Sequence, residues 1–323
     1  MQRRGFLAAS AAGVLQGHAW AQTAAWPARP VRLLVGYPPG GSTDVAARLL
    51  AEQISRRVGQ QVLVENRAGA GGTLATTSVV RAEPDGYTLM MAASPEVSIA
   101  PIAMKSMPYD PVHDLQPITL VGQVPFLLVV HPAVAAQTLA EFIALAKSPS
   151  AKLNYSSFGN NTSNHLAGEL FKQLTGTHST HIPYKGSGPS ITDLIGGQVQ
   201  FSFDAPPAVL EQVRAGRLRA LAVSGRQRLA IAPQIPTFAE AGLPQFSGGT
   251  WFGLFAPAKT PRHVIERINA EAVSALNSPE LIKAFGDKGI VASAQTPEEF
   301  GRFVQQEVNK WKDLAAKVSI VAE

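Results

Sequence analysis

The stretch V-R-L-L-V-G-Y-P-P-G-G-S-T-D, residues 31–44, decides the fold. Its first part, Val31 to Gly36, is rich in β-branched and leucine residues and predicts a buried strand. From Val45 to Val58 apolar side chains recur at helical spacing, which predicts an amphipathic helix with one face on a sheet. A strand followed closely by such a helix is half of a βαβ unit, so the sequence predicts an α/β fold.

The alternation of strand and helix continues along the rest of the chain. Further strands are predicted at Gln61 to Glu65, Tyr87 to Ala92, Phe126 to Val130, Leu153 to Ser157, His181 to Tyr184, Gln200 to Phe203 and Leu218 to Val223. Helices are predicted between them, at Thr138 to Lys147 and Asn164 to Leu174 among others, and from Pro261 onward. About 300 residues exceed what one core usually organises, so the sequence predicts two lobes, each a mainly parallel sheet flanked by helices.

Two Pro- and Gly-rich runs separate the two series of strands. They lie at Pro117 to Pro125 and Pro244 to Pro257, where the chain would leave the first lobe and return to it. We interpret them as the two crossovers of a hinge. The predicted boundaries place residues 22–122 and 248–323 in lobe 1 and residues 123–247 in lobe 2.

The first 21 residues have the pattern of an export signal. Arg3 and Arg4 precede an apolar and small-residue stretch from Phe6 to Leu15, and Ala19-Trp20-Ala21 has the form of a cleavage site. The opening R-R-G-F-L also fits a twin-arginine signal, and the sequence leaves the two export routes open. No later apolar run approaches a membrane span, so we expect an exported, soluble protein.

Composition excludes several classes of function. The chain has no cysteine, which excludes disulfides and cysteine-based metal or catalytic sites. Its formal net charge of +5 falls to +3 when Arg3 and Arg4 leave with the leader. The basic residues are scattered and form no stripe, so we expect no nucleic-acid partner. A mild positive excess suits a small anionic ligand.

Several loops between a strand and a helix are rich in Gly, Ser, Thr and Asn. They are 37–44, 66–73, Ala92 to Pro95, 155–165 and 182–188. Each exposes backbone N–H groups at a helix start, where an anion binds readily. The loop at 66–73, N-R-A-G-A-G-G-T, lacks the Lys-Ser/Thr of a P-loop and is not G-x-G-x-x-G, so no nucleotide cofactor is expected. Any one of these loops could be a plain turn, but several at equivalent strand ends indicate a binding cleft.

These loops, in this order, resemble the Bug family, the periplasmic receptors of tripartite tricarboxylate transport systems. The resemblance rests on Y-P-P-G-G-S-T-D at 37–44, N-R-A-G-A-G-G-T at 66–73, P-D-G-Y-T-L at 84–89, S-S-F-G-N-N-T-S-N-H-L-A-G-E-L-F at 156–171, I-P-Y-K-G at 182–186 and F-S-F-D at 201–204. It implies a two-lobed periplasmic-binding-protein fold, type II-like, that closes on a carboxylate and docks a membrane transporter component. Di- and tricarboxylates, acidic amino acids and aromatic acids are all left open as ligands, and we expect a monomer.

The same resemblance implies the ligand-binding residues. In lobe 1 they are Gly40, Gly41, Ser42, Asp44, Gly71, Gly72 and Thr73, and we add Ser94 from the third loop. In lobe 2 they are Ser157, Gly159, Asn161, Thr162, Ser163, Tyr184 and Asp204. Where relatives commonly have Gly or Ser, this chain has Phe158, Asn161 and Asn164, which we expect to narrow or repolarise the pocket.

Catalysis is the main competing class of function, and the sequence argues against it. His165 with Glu169, and His178 with His181, have helical or strand-start spacing, but HExxH is absent and no third metal ligand is evident. No G-x-S-x-G occurs, so a hydrolase is not expected. A ligand-sensing role toward a membrane partner remains an alternative. Asp204 is left with two roles, bonding hinge N–H groups or contacting the ligand.

Overall fold

The computed structural model describes residues 26–317, and within them the chain forms eleven strands and ten α-helices. The strands are β1 Val31–Val35, β2 Val62–Asn66, β3 Thr88–Ala93, β4 Leu115–Pro125, β5 Leu127–Val130, β6 Asn154–Ser157, β7 Thr180–Pro183, β8 Phe201–Asp204, β9 Arg219–Val223, β10 Gly249–Pro257 and β11 Val291–Ala292. The helices are α1 Ser42–Val58, α2 Thr73–Val80, α3 Ala100–Ala103, α4 Leu139–Ala146, α5 Ser163–Thr175, α6 Ser187–Ile195, α7 Pro206–Arg214, α8 Arg262–Leu276, α9 Pro279–Gly286 and α10 Pro297–Ala315.

The strands form two sheets built on one plan. The first has the order β11-β4-β10-β3-β1-β2 and the second the order β7-β6-β8-β5-β9. In each sheet a strand that runs the other way pairs antiparallel on both sides, β10 in the first and β5 in the second. In the first sheet the short edge strand β11 is also antiparallel to its neighbour β4. Four strands of each sheet share one direction, and the predicted α/β class with two sheets flanked by helices is confirmed. The sheets are mixed instead of mainly parallel, since two of five strand pairs in the first and two of four in the second are parallel.

Alternation along the strands explains why each sheet is covered on both faces. In β1 the side chains of Val31, Leu33 and Val35 pack under α1 and α8, whereas Leu34 packs on the opposite face with α2 and α10. Successive side chains of a strand point to opposite faces, so an unbroken apolar run needs helices on both. The second sheet follows the same rule, with α4 and α5 on one face and α6 and α7 on the other.

The two runs predicted as crossovers are largely strand. The whole run 117–125 lies in β4, and the run 244–257 ends in β10; the two strands pair antiparallel, with Thr250 opposite Val124. Proline is tolerated here because Pro117 lies at a register shift and Pro125 at a strand end, where no ladder N–H is required. The chain passes into the second sheet at Phe126 and returns before Gly249. The boundaries predicted at 122/123 and 247/248 stay predictions.

One serine ties the outgoing and returning segments together. The Ser224 hydroxyl accepts a hydrogen bond from the Phe126 N–H at 2.8 Å and donates to the Gly248 carbonyl. The Ser224 N–H in turn donates to the Phe126 carbonyl at 2.9 Å. Both connections between the sheets are therefore held at the same point.

Between residues 26 and 317 there is no helix both long enough and apolar enough to cross a membrane. The predicted leader, residues 1–21, lies outside the described residues.

Candidate functional site

A cavity of about 890 Å³ lies between the two sheets. Its wall is formed by the loops that follow β1, β2 and β3 on one side and β6 and β8 on the other, with the ends of β4 and β10 at its base. These loops follow the carboxyl ends of parallel strands, which is where open α/β sheets bind ligands. The topology therefore brings loops that are far apart in the sequence to one site.

The structure separates the predicted ligand-binding residues into two groups. Six lie on the cavity wall: Gly41, Ser42, Gly71, Asn161, Thr162 and Ser163. The others lie around it and are not part of the wall: Gly40, Asp44, Gly72, Thr73, Ser94, Ser157, Gly159, Tyr184 and Asp204. The three residues that depart from the family pattern, Phe158, Asn161 and Asn164, all line the cavity.

The loop after β1 places the start of α1 at the cavity. Gly41 is the N-cap with an extended backbone, and no side chain caps the helix. Asp44 does not cap its own helix in the usual way, because its carboxylate accepts from the Gly40 N–H at 2.9 Å and from Asn66 Nδ2 at 2.8 Å. The first turn of α1 therefore keeps its positive end toward the cavity, where it favours an anion.

Asp44 holds this loop as a charged group. Burial alone would raise the pKa of its carboxyl, but hydrogen bonds from Arg48, the Gly40 N–H and Asn66 outweigh burial and lower the pKa. Arg48 also pairs with Asp44 at 3.0 Å. The carboxylate stays ionised, its charge is balanced by Arg48, and it is not part of the cavity wall, so it repels an anion there only little.

The loops after β1 and β2 contact each other at two glycines, Gly36 and Gly72. A Cβ on Gly36 would lie 2.6 Å from the Gly72 Cα, closer than any side chain allows. Gly72 itself has φ +97 and lies against the Glu96 carboxyl. Glycine is required at both positions, since one needs the close approach and the other a left-handed backbone.

Glu96 contacts all three loops of the first lobe, through Tyr37, Gly72 and Ala93. It is fully buried, its carboxyl accepts from the Ala93 N–H at 2.7 Å, and the Tyr37 hydroxyl donates to its other oxygen. Burial raises the pKa of Glu96 to about 7, although the bonds from Tyr37 and Ala93 oppose the shift. Tyr37 lines the cavity, so Glu96 positions a wall residue without being on the wall.

The loop after β6 forms the opposite side of the cavity. Thr162 is the N-cap of α5, and its hydroxyl accepts from the His165 N–H at 3.5 Å. Asn161 has φ +58, and its N–H donates to His165 Nδ1 at 3.0 Å. Thr162 and Ser163 line the cavity together with Gly41 and Ser42, so the starts of α5 and α1 belong to one cavity wall.

His165 and His181, which the sequence argues against as parts of a metal or catalytic site, make structural contacts. His165 and His181 stack with ring centroids 3.9 Å apart, and burial lowers the pKa of both, that of His181 to about 4. Ser157 Oγ lies 2.6 Å from His181 Nε2, but Ser157 is fully buried and its hydroxyl also bonds the Gly159 carbonyl. A serine that no substrate can reach supports the loop instead of acting as a nucleophile.

Two predicted residues of the second lobe, Asp204 and Tyr184, do not line the cavity and form hydrogen bonds elsewhere. Asp204 is fully buried, and its carboxyl accepts from the Ala205 N–H at 3.0 Å and from Ser202 Oγ at 3.2 Å. These are the contacts of a structural role near the hinge, and burial raises the pKa of Asp204 to about 7. The Tyr184 hydroxyl donates to Asp193 at 2.7 Å.

Sequence reasoning missed an apolar part of the wall. It comprises Ile99, Ala100, Ala103, Met104, Phe126 and Phe252. Phe252 lies in β10 and Phe126 lies between β4 and β5. In the sequence, an apolar residue of a strand that lines a cavity looks the same as one that packs in a core. Among residues 26–317 no group of three or more His, Cys, Asp or Glu side chains is placed to hold a metal ion.

Comparison with known proteins agrees with this geometry. The family model described as tripartite tricarboxylate transporter family receptor matches residues 46–320. Protein BugT of Bordetella pertussis is 40% identical over 291 residues, which cover 88% of each chain. The structure of R. palustris Rpa4515 with adipate is 32% identical with a TM-score of 0.78, and the alignment covers 92% of this chain and 100% of that one.

A second solved relative is MatC from Rhodopseudomonas palustris with bound malate, 32% identical with a TM-score of 0.72 over 90% of this chain and 99% of that one. The relatives are solute-binding receptors, no catalytic family is indicated, and the predicted two-lobed periplasmic-binding-protein fold is confirmed. On the match over residues 46–320 and the identity to BugT, this chain belongs to the family of tripartite tricarboxylate transporter receptors.

Proposed function

We propose that this protein is an exported receptor that captures a small carboxylate between its lobes and delivers it to the membrane component of a tripartite transporter in the periplasm. The observation that carries the proposal is the cavity wall, which includes the starts of both α1 and α5 and to which the described residues contribute no charged side chain. An anion there would be held by backbone N–H groups, hydroxyls and amides. Solved relatives bound to adipate and to malate support the same ligand class.

Closure of the lobes follows from the same geometry. Loops from both sheets line one cavity, and the chain passes between the sheets at the Phe126 crossover and in the segment 224–248. The C-terminal part of α10 also reaches the second sheet, because Trp311 and Leu314 pack into its core. A carboxylate held first on the α1 side would therefore draw the α5 loop over it, which removes water and strengthens every polar contact.

A thermal-shift screen tests the proposal. The protein, purified after export from a bacterial host, is melted against mono-, di- and tricarboxylates, acidic amino acids and aromatic acids. A ligand at 100 times its Kd adds about 2.7 kcal/mol to the free energy of unfolding, which raises the midpoint visibly. Flat melts with every acid, together with a rise for an uncharged compound, would overturn the proposal.

Ser42→Asp is the matched variant. It puts a carboxylate at the first residue of α1, which stabilises a helix start but repels an anionic ligand, so we expect an unchanged or raised melting temperature without ligand and at least tenfold weaker carboxylate binding. Ser187→Asp makes the same change at the start of α6, outside the cavity wall, and should leave binding unchanged.

A further inference from the structure

The cavity wall carries more aromatic and apolar surface than a small polar acid needs. Phe126 lies at the crossover, Phe158 in the loop after β6 and Phe252 on β10, so both lobes contribute rings. The segment 99–104 adds Ile99, Ala100, Ala103 and Met104. A second carboxylate against this surface would lose its water and meet no cation, which is costly.

Phe158 is the most informative of these rings. It is partly exposed in a loop that is otherwise Ser, Gly, Asn and Thr, whereas Phe126 and Phe252 are buried. A partly exposed ring at the wall of a cleft gains most when another apolar group covers it, and aromatic pairs add a preference of geometry beyond buried area.

Asn164 supplies a polar counterpart on the same wall. It is 2% exposed, and its Oδ1 accepts from the Phe158 N–H at 3.5 Å. The same oxygen lies 2.7 Å from the Thr162 hydroxyl, whose one proton is shared with the Gly159 carbonyl, also at 2.7 Å. Because an N–H can only donate, the contact with Phe158 assigns the oxygen of the amide to that side. Asn164 Nδ2 then has no hydrogen-bond partner among the described residues. A buried donor without a partner is unfavourable until an acceptor arrives.

We propose that the ligand is a monocarboxylic acid with an aromatic body. Its ring lies among Phe126, Phe158 and Phe252, and its carboxylate meets the start of α5 with Asn164 Nδ2 as a side-chain donor. This rests on the proposed carboxylate-binding function and narrows it to one ligand class. Asn164 and Phe158 are the residues that set the selectivity.

Titration calorimetry of the exported protein tests the ligand class with five probes. They are 3-phenylpropionate, its saturated analogue 3-cyclohexylpropionate, its amide 3-phenylpropionamide, malate and citrate. We expect 3-phenylpropionate to bind at least tenfold more tightly than malate, citrate or the amide. It should bind about 2- to 12-fold more tightly than the cyclohexyl acid, because an aromatic pair contributes binding free energy in addition to that of the apolar area it buries.

Two variants test the two selectivity residues. Phe158→Leu keeps an apolar side chain and should abolish most of the preference for the aromatic over the cyclohexyl acid. Asn164→Asp, measured at pH 8, removes the donor and adds a charge, so it should weaken 3-phenylpropionate at least tenfold while the amide loses less or gains. Asn309→Asp, at an exposed position of α10, is the control and should change neither. Melting curves check that each variant is folded.

The outcomes separate this inference from the proposed function. Tighter binding of malate or citrate than of 3-phenylpropionate overturns the aromatic class and leaves carboxylate capture standing. Equal losses of acid and amide in Asn164→Asp overturn the donor role, since a purely structural role would affect both alike. Absence of binding by every acid, with binding of the amide, overturns both.

Discussion

At the scale of single residues, the two buried acids are the least expected feature. Glu96 follows β3 in the first lobe and Asp204 ends β8 in the second, each fully buried and each bonded to a backbone N–H near the end of its strand. Neither has a basic partner among the contacts of its carboxyl. Burial therefore dominates and raises the pKa of both to about 7. Each acid fixes loops around the cavity at some expense of stability in neutral solution.

Glu96→Gln should flatten the dependence of stability on pH. The folded pKa of Glu96 is raised above the unfolded value, so the native state holds an extra proton between about pH 4.5 and 7 and loses stability as pH rises through that window, by about 3 kcal/mol in total. Gln stays neutral, so the variant should not lose this stability as the pH rises. Denaturant unfolding at pH 5 and pH 8 measures the difference in the free energy of unfolding, with the exposed Glu298→Gln as control.

An unchanged slope in Glu96→Gln would contradict the buried, proton-holding role of Glu96. Asp204→Asn should remove a further part of the slope, because its pKa is raised in the same window. The two acids lie in different lobes and share no partner, so their effects should add.

At the scale of elements, the glycine contact between the first two loops decides the shape of the cavity. In Gly36→Ala the new methyl would meet the Gly72 backbone at 2.6 Å, and backbone cannot swing aside as a flexible side chain can. We expect a loss of about 1–3 kcal/mol of stability, as in other overpacked sites, and weaker ligand binding. Calorimetric titration and urea unfolding measure both.

Gly188→Ala is the control for that experiment. Gly188 lies in α6, and a Cβ there has nothing within 4 Å, so the variant should be neutral or slightly stabilising. Full stability and affinity in Gly36→Ala would show that the two loops move apart freely.

The hinge is the second element that can be tested alone. Ser224→Ala removes the hydroxyl that links Phe126 to Gly248 and leaves the Phe126 N–H without its partner. Stability should fall by about 1–3 kcal/mol, the usual cost of an orphaned polar group. Urea unfolding of this variant is compared with Ser78→Ala on the surface of α2. Equal midpoints for the two variants would rule out a special role for Ser224.

The sequence predicts the elements better than it predicts the wall. Runs of β-branched and leucine residues predict buried strands such as β1, and the two glycines of 37–44 predict the loop that follows it. The crossovers were interpreted from Pro and Gly, yet β4 and β10 pair over most of their length, because their proline residues fall at a bulge or at strand ends. The segment 95–104 gave no signal, since its prolines and short length hide helical turns that pack against α10, β3 and the loop after β2.

At the scale of the whole molecule, two sheets, each with its own core clusters, share one cavity. A core of the second sheet also includes four side chains from the first-lobe elements, Ile99, Ala103, Trp311 and Leu314. Each sheet has helices on both faces, and few covalent connections join them. Such lobes can open locally with different free energies. A ligand that contacts both lobes must be released before either lobe unfolds, so it couples their stabilities.

Hydrogen exchange can detect this coupling directly. Amides of β1 report on the first sheet and amides of β6 on the second, and both strands lie in buried cores. With a ligand at 100 times its Kd, exchange through unfolding should slow about 100-fold in both strands, because binding to the closed form multiplies the protection by one plus the ratio of ligand to Kd. Slowing in β1 alone would mean that the ligand rests on the first lobe without bridging, and closure would then have to be abandoned as the means of capture.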